Sequence, residues 1–377
     1  MDYNKKSLEE HKKLKGKIEI SLKDNLDSVD KLSIYYTPGV AAVSQHIADN
    51  PEEAKNYTWT NNNVAVISDG SAVLGLGNIG PKAALPVMEG KAMLFKKFAN
   101  IDAIPIVLDV HTVDEIINTV KAIAPSFGGI NLEDIAAPQC FEIEKRLIDD
   151  LNIPIMHDDQ HGTAIVVLAG LINSLKVLNK DINKSKIVVA GSGAAGTAII
   201  ELLNAYANPE IIAVDSVGII SSSRQDLNNE KLKLLNITNK NYLNGNINDA
   251  LKNADVFIGV SKPNIINAEI IKSMNKDPII FAMANPIPEI MPELALQAGA
   301  AIVATGRSDF PNQINNALVF PGIFRGALDN NVRKITTEHK LKTAEVIASL
   351  VANPTRDKII PPIDHSNLVS IISKVIV

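Results

Sequence analysis

The sequence predicts an α/β protein with two domains, and three observations support that prediction. From about residue 64 onward, short β-branched runs alternate with longer helical patterns, as in parallel sheets with crossover helices; the runs are VAVIS, IPIVLDV, IPIM, KIVVA, IIAV, DVFIGV, PIIFAMA and AIVA. The chain has 377 residues, more than one hydrophobic core usually serves. A glycine-rich turn also joins one of these runs to a helical pattern near residue 190.

The boundary between the two domains is expected at the start of an apolar helix. Residues 163–178, TAIVVLAGLINSLKVL, have the pattern of a helix that Thr163 caps with its hydroxyl. This division gives an N-terminal α/β domain with a mostly parallel sheet over residues 1–160, and a second domain with a C-terminal helical extension over residues 161–377. Before the first predicted strand of the sheet, the sequence predicts a charged helix, a strand in KIEISLK and a turn in YYTPGVA.

The composition favours a soluble globular protein of the cytoplasm. Hydrophobic residues make up 46% of the chain and charged residues 21%, and we expect no apolar run of about eighteen residues that spans a membrane. The start, MDYNKKSLEEHKKLKGK, lacks the apolar core of a secretory signal and is too acidic for a transit peptide. The lone Cys140 agrees with a reducing compartment. The net charge is -5 and the basic residues are scattered, so nucleic acid is not an expected partner.

The strand KIVVA runs directly into the loop GSGAAG, which precedes the helical pattern AGTAIIELLNAY. Gly191, Gly193 and Gly196 have the spacing of a dinucleotide-binding loop, and Ser192, Ala194 and Ala195 lie between them. The first glycine permits a tight turn, the second lets backbone amides approach a pyrophosphate, and the third lets helix and strand pack closely. The loop therefore predicts that the second domain is a doubly wound Rossmann-type domain that binds NAD or NADP.

Asp215 ends the next predicted strand, IIAVD, at the position where such domains bind the adenosine ribose. A carboxylate there can accept hydrogen bonds from both ribose hydroxyls and repel a 2′-phosphate. The sequence therefore favours NAD, with NADP as the alternative if Arg224 or a nearby lysine swings over to bind the phosphate.

A second glycine-rich run, SDGSAVLGLGNIGPKAALPV at residues 68–87, contains Gly75, Gly77 and Gly80 at the same spacing. Its preceding strand ends well before the glycines, and Pro81 stands where a helix would begin. We therefore interpret this run as a turn that lines the cleft between the domains rather than as a second nucleotide site.

Two pairs of acids follow apolar segments of the first domain: Glu133 with Asp134, and Asp158 with Asp159. Carboxylates that converge at the ends of strands repel one another unless a cation neutralises them, and oxygen ligands suit Mg²⁺ or Mn²⁺. The alternative is that both pairs lie in solvated loops.

His157 and His161 bracket the second acid pair at the spacing of a helical zinc site. Gly162 precedes the predicted helix, so we place both histidines on a turn, and a zinc site is not expected.

These segments, in this order, resemble the malic enzymes, particularly the short bacterial form. The likeness covers nearly the whole chain and rests on YTPGVA, SDGSAVLGLGNIG, PVMEGKAMLFKKFANIDAIP, FGGINLEDI, HDDQHGTA, GSGAAG, ANPIPE and GRSDFPNQINNALVFPGIFRGAL. The resemblance implies oxidation of L-malate with NAD or NADP, followed by metal-dependent decarboxylation of oxaloacetate to pyruvate. It makes Glu133, Asp134 and Asp159 the metal ligands and Asp158 a neighbour of the catalytic lysine.

The resemblance also assigns the acid-base pair. Lys91, in its neutral form, would accept the C2 hydroxyl proton, and burial beside a cation is expected to lower its pKa. Tyr36 would protonate C3 after decarboxylation, with Lys91 close enough to return its proton. Asn285, Asn315 and Asn316 would hold substrate or cofactor. Without the resemblance, Tyr36 would be interpreted as a core tyrosine beside a proline turn.

The sequence departs from the larger malic enzymes at Ala72, where those enzymes carry an arginine that binds the substrate carboxylate. We expect Ser71, the asparagines and the metal to take over this function. The acetyltransferase-like extension of some bacterial members is not expected, nor is its allosteric control. A homodimer is expected, with contacts from the amphipathic start SLEEHKKLKGKIEISL and the apolar tail LVSIISKVIV.

Three functions are consistent with the sequence. The first is malate oxidation with release of pyruvate; the second is a malolactic reaction that retains NAD and releases lactate; the third is a non-catalytic, redox-sensing NAD-binding protein. The presence of Tyr36, Lys91 and the acids argues against the third, because a binding protein does not need them.

Overall fold

The computed structural model describes residues 3–377 and begins with four helices that lie outside both sheets. They are α1 (Tyr3–Leu14), α2 (Val29–Tyr35), α3 (Val40–Asp49) and α4 (Ala54–Tyr57). The predicted charged helix is confirmed as α1. The predicted strand in KIEISLK is wrong, because residues 17–23 are largely exposed and pair with no other strand. An alternating pattern needs a neighbouring strand for its backbone hydrogen bonds, and this segment has none.

The first sheet has four parallel strands in the order β2-β1-β3-β4. They are β1 (Asn63–Ser68), β2 (Asp102–Val107), β3 (Ile130–Leu132) and β4 (Ile155–His157). All six residues of β1 are buried, as expected for a central strand with helices on both faces. Strand β3 was not among the predicted strands because it is only three residues long and directly follows two glycines.

The helices of the first domain connect these strands by crossovers. They are α5 (Pro81–Ala99), α6 (Val113–Ile123) and α7 (Gln139–Asp150). Thr112 and Glu115 form a reciprocal capping box at the start of α6. Pro81 is the first residue of α5, where a proline loses no helical hydrogen bond, so the second glycine-rich run ends in a helix.

Helix α8 (Asp158–Leu178) leaves β4 and enters the second domain. It begins at Asp158, so the predicted start and cap at Thr163 are wrong. Two aspartates in the first turn suit the positive end of the helix dipole and allow the helix to begin early. As a result His161 lies on the helix and not on a turn.

The length and composition of α8 would allow it to cross a membrane, contrary to the expectation that no segment would. Most of its apolar residues are buried within the protein, where the helix packs against α9 (Ala194–Ala207) and α15 (Thr337–Ser349). Its apolar character is that of a core helix.

The second sheet has five parallel strands in the order β6-β5-β7-β8-β9. They are β5 (Lys186–Ala190), β6 (Glu210–Val214), β7 (Val256–Gly259), β8 (Ile279–Ala282) and β9 (Ile302–Thr305). The predicted α/β architecture with two parallel sheets is confirmed. In each sheet the strand order reverses at one point, between β1 and β3 in the first sheet and between β5 and β7 in the second. Doubly wound folds bind their ligands at such a point.

The remaining helices cover the second sheet and join it to the first domain. They are α10 (Asn229–Leu234), α11 (Ile247–Leu251), α12 (Ala268–Lys272), α13 (Pro292–Gln297), α14 (Phe320–Asp329) and α16 (Leu368–Ser373). Phe320 and Phe324 of α14 pack on Phe95 of α5, with ring centroids 4.7 and 5.4 Å apart. One continuous hydrophobic core therefore links the two sheets.

The two segments predicted to supply a dimer contact differ in exposure. The C-terminal tail is not available, because Ile372 and Ile376 are buried against Gly322 and Gly326 of α14, whose lack of side chains allows the close approach. By contrast, none of residues 3–62 is buried, and many large apolar side chains there are exposed, among them Leu8, Ile20, Leu22, Val29, Ile34 and Tyr36.

Candidate active site

The two acid pairs meet because their strands are neighbours in the first sheet. Glu133 and Asp134 directly follow β3, and Asp158 and Asp159 directly follow β4, which pairs with β3 in parallel. Carboxylate oxygens of Glu133, Asp134 and Asp159 lie within 4.8 Å of one another. The structure thus brings together the three residues predicted as metal ligands.

Backbone geometry holds Asp134 in place. Its φ of +54° lies in the left-handed region, which aspartate tolerates better than most residues. Its amide donates to Oδ2 of Asp159 at 2.7 Å, and its carbonyl accepts from the amide of Ala72 at 2.9 Å. The second glycine-rich run therefore supports the acid cluster.

Lys91 comes from α5 and is 8% exposed. Its Nζ lies 2.9 Å from Oε1 of Glu133, donates a hydrogen bond to Asp158, and sits 4.5 Å from the ring centroid of Phe320. The predicted contact between Lys91 and Asp158 is present. Phe320 was not predicted as a site residue; it forms an apolar wall beside the ammonium group.

Burial and mutual repulsion shift the acids of this cluster. Burial, followed by repulsion from Asp159, raises the pKa of Asp134 to about 7 and the pKa of Glu133 well above its ordinary value. Burial raises the pKa of Asp158 to about 6, although Lys91 opposes that shift. The cluster therefore carries more negative charge than one lysine comfortably balances.

The pKa of Lys91 is raised, which is opposite to the predicted direction. Burial by itself lowers it, but the attraction of Asp158 and Glu133 outweighs the burial. The prediction assumed a cation beside the lysine, whereas the immediate neighbours of the ammonium group are carboxylates.

Several polar atoms at this site are buried without a hydrogen-bond partner among residues 3–377. They include Oδ2 of Asp134, Oδ1 of Asp158 and both ring nitrogens of His157. Unpaired carboxylate oxygens in an acidic, buried cluster are costly, and a hard divalent cation satisfies them. Glu133, Asp134 and Asp159 thus fit Mg²⁺ or Mn²⁺.

A second buried carboxylate, Glu144 of α7, anchors the start of α8. It accepts hydrogen bonds from the amide of His157 at 2.7 Å, from Nε2 of Gln160 at 3.3 Å, and pairs with Nε2 of His161 at 2.8 Å. Burial acts to raise the pKa of Glu144, but attraction to His161 lowers it to about 2. Glu144 was not predicted as a site residue; the signal that could have indicated it is an acid on the apolar face of an amphipathic helix.

The two histidines have different partners. Nε2 of His161 pairs with Glu144 at 2.8 Å, while the ring of His157 is fully buried with Nδ1 3.8 Å from Oδ2 of Asp159. The turn on which the expectation of no zinc site rested is wrong for His161, which lies on α8, and that expectation stays a prediction.

Tyr36 is not among the polar or cation-π contacts of Lys91. Its side chain is largely exposed, and its hydroxyl hydrogen-bonds to none of residues 3–377. The contacts of the Lys91 ammonium group come from Asp158, Glu133 and Phe320 instead. Tyr36 is therefore not a core tyrosine, and its hydroxyl makes no hydrogen bond with Lys91 among residues 3–377.

The three predicted asparagines lie in different settings. Asn285 follows β8, and its carbonyl oxygen packs so tightly on Gly75 that a Cβ there would lie 2.2 Å away. Asn316 packs on the first turn of α8, because a Cβ added to Gly162 would lie only 3.1 Å from the Cβ of Asn316. The side chain of Asn315 instead caps a helical turn by accepting from the amide of Ala317 at 2.9 Å.

Ser71 is used within the protein framework. Its hydroxyl donates to Asp69 at 2.6 Å and accepts from the amide of Ala136 at 2.8 Å. The hydroxyl of Ser71 has only one proton, and Asp69 accepts it. In this arrangement Ser71 therefore cannot donate a hydrogen bond to a substrate carboxylate, as was predicted.

A cavity of about 620 Å³ lies at the point where the second sheet reverses its strand order. Gly191, Ser192 and Gly193 line it from the glycine loop, Asp215 from the end of β6, and Phe141 from the first domain. Ala194 and Ala195 open α9 beside the loop. The cavity volume lies in the usual range of small-molecule sites, and the cavity lies at the usual dinucleotide position.

Two glycines of the loop are required by the backbone. Gly191 has a φ of +111°, and a Cβ on Gly196 would lie 1.7 Å from the carbonyl oxygen of Gly191. These are the tight turn and the close packing of helix on strand that the spacing predicts.

The carboxylate of Asp215 is occupied by partners from its own chain. Arg224 donates to both oxygens, at 2.8 and 3.0 Å, and Lys231 donates to Oδ2 at 2.6 Å. The amides of Val217 and Gly218 donate to Oδ1. Although burial acts to raise it, these hydrogen bonds lower the pKa of Asp215 below its ordinary value. The predicted preference for NAD assumed a carboxylate free to accept ribose hydroxyls.

Comparison with known proteins agrees with this geometry. Residues 15–148 match the family model for the malic enzyme N-terminal domain, and residues 160–377 match that for the malic enzyme NAD binding domain. Over 364 residues, the chain is 54% identical to the NAD-dependent malic enzyme of Geobacillus stearothermophilus, covering 96% of this chain and 76% of the relative. It is 52% identical to the bifunctional malic/malolactic enzyme of Bacillus subtilis, covering 96% and 89%.

A solved structure of a malic enzyme is also similar to this chain over nearly its whole length. The NAD-dependent malic enzyme from Thermotoga maritima superposes with a TM-score of 0.95 at 50% sequence identity, and 98% of each chain is covered.

Proposed function

Because this chain belongs to the malic enzyme family, we propose that it oxidises L-malate and decarboxylates the product to pyruvate and CO₂, with reduction of NAD or NADP. We propose that the reaction depends on Mg²⁺ or Mn²⁺ and that the enzyme also decarboxylates oxaloacetate. The observation that carries the proposal is the buried ammonium group of Lys91, held between Glu133 and Asp158 beside a cluster of carboxylates.

Glu133, Asp134 and Asp159 are the residues that would hold the cation. When bound, such a cation supplies Lewis-acid polarisation of the C2 oxygen and draws electrons from the breaking bond between C3 and C4. The unpaired oxygens of Asp134 and the convergence of the three acids support this assignment.

Lys91 takes the proton of the C2 hydroxyl, for which it must be neutral. Glu133 and Asp158 raise its pKa, so they hold it in the charged form while their own charge is unbalanced. With a cation held by Glu133, the attraction of this carboxylate for Lys91 would be weaker, and burial beside Phe320 would then favour the neutral amine. Asp158 keeps the amine oriented.

The glycine loop binds the pyrophosphate of the cofactor. Residues 191–196 present backbone amides and the start of α9 to the anion. Asn285 lies between the two domains, because it packs on Gly75 of the first and Gly306 of the second. Residues of this cleft would hold the nicotinamide, which would supply the acceptor for the hydride from C2.

Tyr36 supplies the proton to C3, and we propose that it does so in the site of a second copy of this chain. Its exposed hydroxyl and the exposed apolar side chains of residues 3–62 favour a homodimer in which this segment lies on the partner. A second copy is the occupant that also explains why Lys91 has no acid-base partner from its own α2 and α3 region.

Complementation between two defective variants tests this arrangement. Tyr36→Phe and Lys91→Ala subunits with different affinity tags are co-expressed, and the mixed dimer is isolated by sequential purification. If each site combines Tyr36 of one copy with Lys91 of the other, one of two sites in the mixed dimer is intact, so its rate is about half the wild-type rate. Each variant alone remains inactive. A mixed dimer as inactive as its parents would place Tyr36 in the site of its own chain.

A malolactic reaction is the second candidate, and the bifunctional malic/malolactic relative favours keeping it. The two reactions are separated by incubating the protein with L-malate and Mn²⁺, with NAD or NADP in turn, and measuring nicotinamide absorbance, pyruvate and lactate. We expect pyruvate and reduced cofactor in equal amounts, and loss of both on addition of EDTA. Lactate without net NADH would exclude the main proposal.

A further inference from the structure

Glu289 is a fully buried carboxylate of the second domain that belongs neither to the acidic cluster nor to the lining of the dinucleotide cavity. It lies in the loop between β8 and α13. Backbone amides stabilise its charge, and no cation among residues 3–377 forms an ion pair with it. A carboxylate buried without a cation is costly unless hydrogen bonds hold it in place. The partners of its two oxygens therefore indicate its role.

The two oxygens of Glu289 join the ends of two neighbouring strands. Oε1 accepts from the amide of Ser261, just after β7, at 2.9 Å, and Oε2 accepts from the amide of Ala284, just after β8, at 3.0 Å. Strands β7 and β8 pair in parallel, so both loops leave the same edge of the second sheet. Gly259, the last residue of β7, leaves room for the carboxylate, because a Cβ there would lie 2.4 Å from the carboxyl carbon. Glu289 thus fixes the distance between the two loops.

Each of these loops carries a residue of the proposed site. Ser261 lines the dinucleotide cavity, and Asn285 comes directly after one of the two anchored amides. Asn285 packs on Gly75 through its carbonyl oxygen, and its Nδ2 would lie 3.0 Å from a Cβ on Gly306. Asn285 is also exposed, so its amide group can meet a ligand. The hydrogen bonds of Glu289 therefore set where Asn285 stands relative to the cavity.

We propose that Glu289 is a positioning residue for malate oxidation, because it holds the loop of Asn285 in place beside the dinucleotide cavity so that Asn285 can bind the substrate. The proposal rests on the proposed function, together with the family resemblance that makes Asn285 a residue that holds substrate. Glu289 acts through Asn285 and not by contact with a ligand, since it is fully buried and both of its oxygens face backbone amides.

A double-mutant cycle on the full chain separates this role from a general loss of stability. Glutamine has one acceptor oxygen and one NH₂ donor, so Glu289→Gln can satisfy only one of the two amides. Glu289→Gln, Asn285→Ala and the double variant are assayed with malate and Mn²⁺, using the cofactor that gives the faster rate, well below their melting temperatures. Glu289→Gln should raise the KM for malate about tenfold and Asn285→Ala about thirtyfold.

The double variant gives the decisive comparison. If Glu289 acts through Asn285, the double variant should have the KM of Asn285→Ala alone, within about twofold. The Kd of Glu289→Gln for Mn²⁺ should stay within about twofold of the wild-type value, because the acidic cluster lies on the other sheet. A purely structural role would instead lower Tm and make the two effects on KM additive.

Two further variants complete the experiment. Glu293→Gln is the matched control, because Glu293 is an exposed acid at the start of the neighbouring helix α13. It should leave both the KM for malate and the Kd for Mn²⁺ within about twofold of the wild type. Gly259→Ala keeps the carboxylate and both amides but pushes the carboxylate aside, so it should raise KM in the same non-additive way. It also serves as the test if Glu289→Gln does not fold.

Hydrogen exchange tests the anchoring without turnover. Mass spectrometry with fragmentation to single residues should show the amides of Ser261 and Ala284 exchanging at least about tenfold faster in Glu289→Gln than in the wild type or in Glu293→Gln. Unchanged exchange of both amides, or additive effects of Glu289→Gln and Asn285→Ala on KM, would overturn the proposal. If exchange changes as expected but the wild type oxidises no malate, the proposed function fails while the anchoring of the two loops by Glu289 stands.

Discussion

Each parallel sheet places carboxylates at the carboxyl ends of its strands, where the strand order reverses, but the two regions balance that charge in different ways. At the first sheet, Glu133, Asp134, Asp158 and Asp159 face the single ammonium group of Lys91, and buried carboxylate oxygens remain unpaired. At the second sheet, Asp215 has a hydrogen bond for each of its oxygens from Arg224 or Lys231.

The difference indicates what each region requires of a ligand. The acidic cluster is short of positive charge, so we expect it to bind a cation and to depend on it. The ribose region around Asp215 is neutral by itself, because Arg224 and Lys231 balance its carboxylates, so we expect it to tolerate ligands of different charge. A carboxylate at the end of a strand therefore predicts a ligand only when the neighbouring cations are known, because cations of the protein itself can neutralise its charge.

The largest effect is expected from removing one charge of the acidic cluster. Asp159→Asn should weaken Mn²⁺ binding more than about a hundredfold and lower the rate of malate oxidation about a thousandfold, because the cation loses a ligand and the amide does not replace its charge. Mn²⁺ binding is measured by electron paramagnetic resonance of the free ion, and the rate by NADH absorbance.

The control for this substitution is Asp150→Asn, which removes an exposed carboxylate paired with Lys121 at the end of α7. It should leave both quantities close to those of the wild type. Unchanged Mn²⁺ affinity in Asp159→Asn would show that the acidic cluster is balanced in some way other than by a cation.

A smaller effect is expected from Glu144, which holds the first turn of α8 without contacting the predicted metal ligands directly. Glu144→Gln keeps the shape but loses the ion pair with His161, so the turn that carries Asp158 and Asp159 becomes less firmly placed. We expect Mn²⁺ affinity to fall about tenfold, in line with other residues that orient metal ligands. Glu142→Gln, on the exposed face of the same helix, should leave the affinity unchanged; equal effects of both substitutions would contradict the positioning role.

Much of the fold and part of the site followed from the sequence. The glycine loop and the acid pairs could be placed because each directly follows an apolar run, and parallel strands bring such ends together. Strand β3 escaped prediction because three residues show no periodicity, and KIEISLK was predicted as a strand because alternation alone does not reveal whether a partner strand exists.

The rest of the site depended on contacts between residues far apart in the chain. Glu144 meets His161 across two elements, and Arg224 with Lys231 reaches Asp215 from a loop and from the start of α10. Spacing predicts which strand end a residue follows, but it does not reveal which cations turn toward that end. The exposure of Tyr36 likewise depends on how the N-terminal helices pack, which local pattern does not determine.

The raised pKa values of the acidic cluster should make the stability of the metal-free protein depend on pH. Burial, followed by repulsion from Asp159, raises the pKa of Asp134 to about 7, and burial raises that of Asp158 to about 6. A raised carboxyl pKa gives stability that is fully present below the unfolded value of about 3.9 and is lost as pH rises through the folded pKa. The metal-free protein should therefore lose stability as pH rises from about 4 to about 7, between the unfolded and folded pKa values.

Mn²⁺ should restore that loss, so the rise in Tm on its addition should be larger at pH about 8 than at pH about 5.5. Thermal unfolding followed by circular dichroism, with and without Mn²⁺, measures the difference. Asp159→Asn serves as the control, since Mn²⁺ should shift its Tm little at either pH. An equal shift at both pH values in the wild type would mean that protons and the cation do not compete for these carboxylates.

The smallest effect is expected at the neutral ribose region. Asp215→Asn keeps the shape of the side chain but leaves Arg224 and Lys231 with less opposing charge. NADP should then bind roughly threefold to tenfold more tightly, while the Kd of NAD changes less than about threefold, because the ribose hydroxyls did not depend on this carboxylate. Calorimetric titration of both cofactors provides the measurement. If NAD instead weakens by about tenfold or more, Asp215 holds the ribose directly, and the contrast between an acidic region that needs its ligand and a ribose region satisfied by its own residues would not hold.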